Sequence, residues 1–300
     1  MIPEFPHFKH LELTDKKDVE ALTEGFKFYS DFNFTSLWLW DVDHKMMLSQ
    51  KHQNLIVLFY DYVSKKPFFS FIGKNNTTDT ACSLLDLSKQ KYQTDFLKLI
   101  PEEVADLLPK SKFSIIPDRD SYDYIYFNPA QASINILGEN SYGKKIKDFI
   151  KSHPNYSVME SSIQDAPKEK CAELFYRWTK NKKIDNYFDM AEYKAFQRLF
   201  SMVDDNIRVI LLYMDDVLVG LTVYEIISKE FAISHFAKAD ITKHKAINDI
   251  LNWEEARNLD SKNIKHFNWE QDLGIPGLRQ SKEKYQPCFY FEKFIIMSKI

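Results

Sequence analysis

The segment NWEQDLGIPGLRQSKEKY near the C-terminus concentrates the residue types that acid–base chemistry requires. Two carboxylates, Glu270 and Asp272, are followed by two cations, Arg279 and Lys282. A predicted strand that ends at Glu270 would place Asn268 and Glu270 on one face, because alternate side chains of a strand point the same way. A short predicted helix would place Arg279 and Lys282 on one side, because they lie three residues apart. Such a cluster could orient an amine or hydroxyl nucleophile and neutralise an anionic donor, so Glu270 and Asp272 are catalytic candidates.

The same cluster also has a structural interpretation. Buried acid–base networks often hold a loop against a sheet, and they shift the pKa values of the same residue types as a catalytic site does. We expect a mixed outcome, in which Asp272 is structural while Glu270 and Lys282 lie closer to a ligand. The candidate substrate-binding residues are Asn268, Arg279, Lys282 and Tyr285.

Two further acid–base candidates lie in predicted strands upstream of this segment. They are His235, between Ser234 and Phe236, and Glu225 on the preceding strand. Acyl or aminoacyl transfer asks for orientation of the reactants and a base near the nucleophile, which one such group could supply. A strand histidine is more often a satisfied core or surface group, so both interpretations stay open for His235 and Glu225.

The elements that must position these residues are clearest in the second half of the chain. Their order is β-α-α-β-β-β-α-β-α-β, read from hydrophobic spacing and turn residues. We predict a strand at 156–160, helices at 166–179 and 190–202, strands at 207–214, 217–227 and 231–239, a helix at 245–258, a strand at 264–270, a short helix before 285 and a strand at 288–297. The pair Asp215-Asp216 fits a hairpin turn.

The first half predicts a rougher version of the same order. Thr14 is the predicted N-cap of a first helix. We predict helices at 15–29 and 79–99, strands at 45–49, 54–62, 67–73, 112–116 and 122–127, and a helix at 141–152 that leads to a linker near His153. The predicted domains are therefore residues 1–153 and 154–300, both of mixed α/β type.

Composition narrows the class of protein. With 300 residues, 44% of them hydrophobic, the chain can bury the cores of two domains. A net charge of −3 predicts no global attraction to nucleic acid, and we expect no DNA binding. There is no GxGxxG or GxxxxGK[ST] motif, and the three cysteines lack metal-ligand spacing, so neither a nucleotide fold nor a metal site is expected. The sequence shows no signal peptide or long apolar run, which predicts a cytoplasmic protein.

The C-terminal motif resembles one family of bacterial proteins. The pattern N-x-E-x-D-x-G-x-x-G-L-R-x-x-K-x-x-Y-x-P, together with HFAKAD at 235–240 and AIND at 246–249, is similar to the C-terminal domain of phosphatidylglycerol lysyltransferases. Weaker similarities are SLWLWD at 36–41 and DYIYF at 123–127.

This resemblance implies a tandem pair of GNAT-like acyltransferase-fold domains, with mixed sheets, in which the second half does the chemistry. It implies an acyl- or aminoacyltransferase that moves a group from coenzyme A or aminoacyl-tRNA to a hydroxyl or amine. Either donor would be a co-substrate, with no tightly bound cofactor, and a transient contact with a membrane surface is a further option. The alternative is a tandem-GNAT protein that binds a small ligand or partner without catalysis.

The resemblance also points to a place for the donor phosphates. In GNAT folds they rest on the N-terminus of the helix predicted here at 245–258, whose free N–H groups and dipole attract anions. Lys243 and Lys245 flank that helix start and are the candidate phosphate-binding residues. A solvated basic turn is the other interpretation of the two lysines.

Overall fold

Runs of apolar and aromatic residues form the strands of this protein, and segments with apolar residues at helical spacing form its helices. The computed structural model describes residues 1–61, 64–133, 141–183 and 190–299. The strands are β1 (Lys9–His10), β2 (Met47–Lys51), β3 (Asn54–Tyr60), β4 (Pro67–Ile72), β5 (Phe96–Pro101), β6 (Phe113–Pro117), β7 (Asp123–Phe127), β8 (Ser157–Ser162), β9 (Ile207–Met214), β10 (Val217–Ile226), β11 (Phe231–Ala239), β12 (His266–Asn268), β13 (Phe289–Phe291) and β14 (Lys293–Ser298). The helices are α1 (Lys16–Thr23), α2 (Phe34–Trp40), α3 (Thr77–Tyr92), α4 (Glu102–Ala105), α5 (Asn128–Ala132), α6 (Ser141–Ser152), α7 (Lys168–Asn181), α8 (Ala191–Leu199), α9 (Ile247–Ser261) and α10 (Pro276–Glu283).

The chain divides into two compact units. The first contains Met1–Asp123, Gln271–Gln280 and the segment that begins at Tyr290, and the second contains Tyr124–Glu270 and Ser281–Phe289. The described residues of 124–133 and 141–152 therefore belong to the second unit. The predicted boundary near His153, which divides the chain into GNAT-like halves of residues 1–153 and 154–300, stays a prediction.

Two sheets form the framework of the first unit. One is antiparallel with the order β1-β2-β3-β4, and the other has the order β5-β14-β6. Helix α3 connects β4 to β5 and contacts both strands. Its buried residues Leu84 and Leu85 belong to the core of this unit.

Two helix predictions in this unit were too long. Helix α1 begins at Lys16 after a 3-10 turn and ends at Thr23, close to Gly25, whose φ of +81° is left-handed. A capping box between Glu12 and Asp15 precedes it, in place of the predicted Thr14 cap. The predicted helix at 79–99 ends at Tyr92, and the residues after it form β5, because pairing with the distant β14 decides their conformation. Local spacing cannot show such a pairing.

A seven-stranded sheet with the order β13-β7-β12-β11-β10-β9-β8 organises the second unit. The β9–β10 hairpin turns at Asp215-Asp216, both with positive φ, which confirms the predicted turn. Helices cover both faces of this sheet. On one face, the hydroxyl of Tyr224 bonds to α9. On the other face, the neighbouring residue Val223 pairs with Phe236, which packs against α7. The described residues contain no helix that is long and apolar enough to cross a bilayer.

Two strand predictions near the C-terminus were also wrong. The predicted strand at 264–270 is only His266–Asn268, because Glu270 adopts a left-handed φ of 55° that ends extended structure. The predicted strand at 288–297 is two strands, β13 and β14, that belong to different sheets. Other boundaries moved by a few residues, and residue 62 of the predicted strand at 54–62 lies outside the described residues.

A fully buried lysine holds the C-terminal strand of the first unit. The Lys293 ammonium lies 2.7 Å from Asp123 Oδ1 and also forms an ion pair with Asp31. The N–H and the hydroxyl of Ser30 donate to the Asp123 carboxylate at 2.8 and 2.6 Å. Burial raises the pKa of Asp31 above its ordinary value, against the opposing effect of Lys293. The buried ammonium of Lys293 therefore lies between two carboxylates and offsets the cost of burying them.

We expect Lys293→Met to lower the free energy of unfolding by about 3–5 kcal/mol, because it leaves two buried carboxylates without their cation. Urea unfolding of the whole chain measures this change. Lys112→Met is the control, since Lys112 is exposed, and it should change stability by less than about 0.5 kcal/mol. Equal effects of the two substitutions would contradict a stabilising role for the buried ion pair.

Candidate functional site

Two neighbouring parallel strands of the second unit separate in the middle of the sheet. β11 pairs with β12 only through Phe231–Ile233 and His266–Asn268. After Asn268 the chain stays with β7, since Trp269 N donates to Tyr124 O at 2.9 Å and Tyr124 N donates to Glu270 O at 3.2 Å. β11 continues instead along β10 as far as Ala239. The two strands therefore separate beyond Ile233, and we call this separation the fork.

A β-bulge lies at the mouth of the fork. Ser234 pairs with Tyr224 and Phe236 pairs with Val223, so His235 is the extra residue on β11. A bulge bends its strand and redirects the side chain of the extra residue. Because Tyr224 and Val223 are consecutive residues of β10, the bulge places Ser234 and Phe236 on opposite faces of the sheet, with His235 between them.

His235 connects the two arms of the fork. Its Nε2 lies 3.1 Å from Glu225 Oε2 on β10, and its Nδ1 lies 3.3 Å from Glu270 Oε1 after β12. The His235 side chain is fully buried, whereas that of Glu270 is 19% exposed. Burial opposes the imidazolium, but the hydrogen bonds and charges of the two carboxylates outweigh it and raise the pKa of His235 to about 9. We call this charged trio the Glu225–His235–Glu270 clamp.

The opposite face of the fork carries a buried carboxylate that sequence analysis missed. Glu255 Oε1 on α9 accepts hydrogen bonds from Ser234 Oγ at 2.8 Å and Thr222 Oγ1 at 3.1 Å. Burial raises the pKa of Glu255 to about 7, although both hydroxyls and the charge of His235 lower it. A signal was present in the sequence, because Glu255 lies four residues from both Leu251 and Leu259, on an apolar stripe.

Asn268 and Lys282 shape the turn that carries Glu270. Asn268 is fully buried, and its Oδ1 accepts from Glu270 N at 2.6 Å. The Lys282 ammonium donates to the main-chain oxygens of Trp269 and Glu270. Both side chains therefore contact the backbone of the left-handed turn and fix the position of the Glu270 side chain.

The predicted acid–base cluster is divided between the two units. Glu270 pairs with His235 in the second unit, while Asp272 and Arg279 belong to the first. Arg279 donates to both carboxylate oxygens of Asp272 at 2.8 Å, and Gly274 N donates to the same buried carboxylate at 2.8 Å. In place of the expected carboxylate pair facing two cations, Glu270 pairs with His235 and Asp272 forms an ion pair within the loop.

Gly274 adds a steric constraint to that loop. Its φ is +69°, and a Cβ at this position would lie 2.7 Å from Asp120 Oδ2. Arg279 also donates to Asp120 at 2.6 Å. The loop can bring Asp120 and Asp272 to the same guanidinium only because glycine occupies this position.

Tyr285, the remaining candidate substrate-binding residue, lies in the core of the second unit. Its hydroxyl donates to Asp249 Oδ1 at 2.5 Å, and its ring packs edge-on against Trp269 and Tyr142. Burial, followed by the charge of Asp249, raises its pKa far above the ordinary value. In this arrangement the hydroxyl of Tyr285 connects the C-terminal motif to the first turn of α9.

Lys243 and Lys245 are exposed residues of the turn that precedes α9. The helix begins at Ile247, two residues later than predicted. Lys243 N donates to Asp240 O, and His244 Nδ1 accepts from Ala246 N, so the turn has a defined backbone. The two ammonium groups therefore flank the positive end of α9. Within the described ranges, no group of three or more His, Cys, Asp or Glu side chains is arranged to hold a metal ion.

We expect Asp272→Asn to lower the free energy of unfolding by about 1–3 kcal/mol, because it weakens the charge-assisted hydrogen bonds between the buried carboxylate and Arg279, which keeps its second partner Asp120. Asp120→Asn is the matched control, since Asp120 contacts the same arginine but is 60% exposed, and it should cost about 1 kcal/mol or less. Chemical unfolding of the two variants measures both values. A small effect of Asp272→Asn would argue against its structural role.

The clamp predicts a pH-dependent contribution to stability. The pKa of His235 is raised in the folded state, so its contribution is fully present below pH 6.5 and is lost as the pH rises through about 9. We expect the destabilisation caused by His235→Asn to be larger at pH 6 than at pH 10 in urea unfolding. His7→Asn, an exposed control, should show no such trend, and a pH-independent effect at His235 would show that the imidazole is neutral.

Comparison with known proteins identifies a matching family and solved structures of similar fold. The family model described as phosphatidylglycerol lysyltransferase, C-terminal, matches residues 24–297. A search of curated proteins found no match to the sequence. Two solved structures superpose over the whole chain. A conserved protein of unknown function from Bacteroides thetaiotaomicron VPI-5482 has a TM-score of 0.80 at 22% identity, with 100% of both chains covered. L-PGS from Bacillus licheniformis has a TM-score of 0.63 at 13% identity, with 100% of this chain and 94% of that chain covered.

A third structure, FemX, has a TM-score of 0.60 at 9% identity, with 96% of each chain covered. At these identities the likeness shows the fold, and the predicted mixed α/β fold with tandem GNAT-like halves is confirmed. The family match extends over nearly the whole sequence and includes the fork and the motif after it. The protein is therefore a member of the family of the phosphatidylglycerol lysyltransferase C-terminal domain.

Proposed function

We propose that this chain is an aminoacyltransferase that moves an aminoacyl group from aminoacyl-tRNA to a hydroxyl or amine acceptor at the fork. The single observation that carries the proposal is the fork itself, with the Glu225–His235–Glu270 clamp across its mouth. Family membership supports the aminoacyl class of reaction. Coenzyme A as an acyl donor is the second candidate, and the test below distinguishes the two.

The fork has the groups that acyl transfer requires. Beyond Ile233, the edge of β11 that faces away from β10 has no strand partner within the described ranges. Backbone N–H groups at a strand edge are donors that can stabilise a carbonyl oxygen as it becomes negative during attack by the acceptor. Glu270, the partly exposed member of the clamp, can orient the acceptor. Binding both reactants at the fork removes much of the entropic barrier.

His235 has an electrostatic role in this proposal. With a pKa of about 9 it is an imidazolium at neutral pH, and it is fully buried. A protonated imidazole cannot accept the proton of the acceptor, so His235 is not the general base. It holds the Glu270 carboxylate in place and places a positive charge behind the fork.

The region of the first unit that corresponds to the fork supports our proposal that the transfer reaction takes place in the second unit. There, β4, α3 and β5 follow one another as β11, α9 and β12 do, but β4 and β5 lie in different sheets, whereas β11 and β12 pair within one sheet. Ser70 Oγ bridges that opening by donating to Leu99 O at 3.1 Å. The side chain of Asn54 fills the loop after β4, where it accepts from Asn75 N at 3.1 Å and donates to Asn75 O at 2.6 Å. The polar groups of this loop are thus bonded within the protein.

The exposed lysines before α9 suit the anionic donor. Lys243 and Lys245 lie at the positive end of a 15-residue helix. Ammonium groups and the helix dipole both attract phosphate groups. We therefore propose that this turn contacts the phosphates of the donor.

The test is transfer of labelled lysine from lysyl-tRNA, assayed with phosphatidylglycerol vesicles and with small amines, and beside it transfer from acetyl-coenzyme A. We expect transfer from lysyl-tRNA, and we expect Glu270→Gln to lower kcat/KM by about 100-fold because the acceptor loses its orienting carboxylate. Glu230→Gln, at an exposed carboxylate, is the control and should retain the parental rate. Transfer from acetyl-coenzyme A alone would show that the donor is an acyl-coenzyme A and not aminoacyl-tRNA. No transfer from either donor would favour a non-catalytic binding protein.

A second pair of variants tests the proposed donor site through lysyl-tRNA binding. The double variant Lys243→Glu with Lys245→Glu should weaken lysyl-tRNA binding at least tenfold, about 1.4 kcal/mol. The double variant Lys229→Glu with Lys299→Glu makes the same change in net charge at other exposed positions. Equal losses in both double variants would assign the effect to overall charge and would remove the turn before α9 from the donor site.

A further inference from the structure

A serine begins the part of β11 that extends beyond its pairing with β12. Ile233 is the last residue of β11 that pairs with β12, and Ser234 follows it at the mouth of the fork. Ser234 is partly exposed, whereas Thr222 and Glu255 are buried. The Ser234 hydroxyl donates to Glu255 Oε1 at 2.8 Å. A group that a substrate can reach is thus connected directly to a carboxylate that solvent cannot reach.

The position of Glu255 is fixed from several directions. Thr222 on β10 donates to the same oxygen at 3.1 Å, and the carboxylate projects from the middle of α9. The titratable groups that face it are Tyr224 on β10, whose pKa its charge raises, and His235 on β11, whose charge lowers the pKa of Glu255. The indole of Trp269, after β12, faces it as well. Of the two hydroxyls that donate to Glu255, that of Ser234 belongs to a partly exposed residue and that of Thr222 to a buried one.

We propose that Ser234 is a catalytic residue that passes the proton of the attacking acceptor to Glu255. This inference rests on the proposed transferase function. It supplies the general base that the clamp does not, since His235 is already protonated at neutral pH. Glu255 acts through Ser234 and is a positioning residue in this scheme.

The steps balance as follows. The acceptor oxygen or nitrogen forms a bond to the aminoacyl carbonyl carbon, its proton moves to Ser234 Oγ, and the Ser234 proton moves to Glu255. Collapse of the tetrahedral intermediate breaks the ester bond to the donor ribose. The leaving oxygen takes a proton back from Glu255 through Ser234, which restores the carboxylate. No oxidant or further reactant is needed.

The first test does not depend on the donor. The full-length chain is treated with phenylmethylsulfonyl fluoride, and modified serines are identified by peptide mass spectrometry. Ser234 Oγ would attack the sulfur atom, fluoride would leave, and the proton would pass to Glu255. We expect labelling of Ser234 at least tenfold faster than of Ser228, with a rate that rises as the pH increases through about 7, where Glu255 ionises.

Variants separate base assistance from simple exposure. Glu255→Gln should slow labelling of Ser234 at least tenfold and remove its pH dependence. Thr222→Val is the matched control, because it removes the other hydroxyl that donates to Glu255. It should leave Ser234 reactive while moving the rise in rate to higher pH. Labelling of Ser234 at the rate of Ser228, or an unchanged rate in Glu255→Gln, would overturn the proposal.

The transfer assay provides the second test. Ser234→Ala should lower kcat at least tenfold with little change in KM, and Ser234→Thr, which keeps a hydroxyl, should recover part of the rate. Full activity of Ser234→Ala would overturn the relay while leaving the proposed function intact. Base-assisted labelling of Ser234 without transfer from any donor would instead support the Ser234–Glu255 pair and contradict the proposed function.

Discussion

The pairing of one buried imidazolium with two carboxylates is the interaction on which the site depends. Parallel strands that separate within a sheet lose the hydrogen bonds that held them together, so another interaction must keep the two arms at a defined distance. His235 does this by bonding to Glu225 on one side and to Glu270 on the other. Burial alone would favour a neutral histidine, and the flanking carboxylates reverse that preference. The opening of the sheet and the charge state of the histidine are therefore linked.

The β-bulge makes this arrangement compatible with a regular sheet. In a regular strand Ser234 and Phe236 would share a face, and the extra residue His235 places them on opposite faces instead. The bulge also separates the environments of adjacent side chains, since Ser234 faces Glu255 on α9 while Phe236 packs against Phe175 on α7. One local irregularity thus sets a charged group and a hydroxyl–carboxylate pair on the two sides of the same opening.

The C-terminal motif serves several purposes within a short stretch of chain. Asn268 and Lys282 hold the left-handed turn at Glu270, and Tyr285 bonds to the first turn of α9. Asp272 and Arg279, between them in sequence, form the loop of the other compact unit. Three of these motif residues therefore support the backbone of the second unit around the Glu270 carboxylate.

The sequence by itself determined the fold class, the order of elements in the second half, the β9–β10 hairpin and the segment that carries Glu270. These features follow from local periodicity, turn residues and a contiguous motif, all of which can be recognised without knowing long-range contacts. The residues Glu225, His235, Glu270 and Asn268 were identified as candidates on the same basis, and the structure brings them together.

Only the tertiary structure decided how those candidates are paired. Residues 96–99 were expected to be helical and form β5 because β14, far away in sequence, pairs with them. The expected pairing of Glu270 and Asp272 gave way to separate partners, because the left-handed turn at Glu270 directs the next residues into the other unit. Glu255 was overlooked because its significance depends on Ser234 and Thr222, which reach it from two different strands. Pairing across distant segments and the desolvation of charged groups are set by packing, and periodicity along one chain does not contain that information.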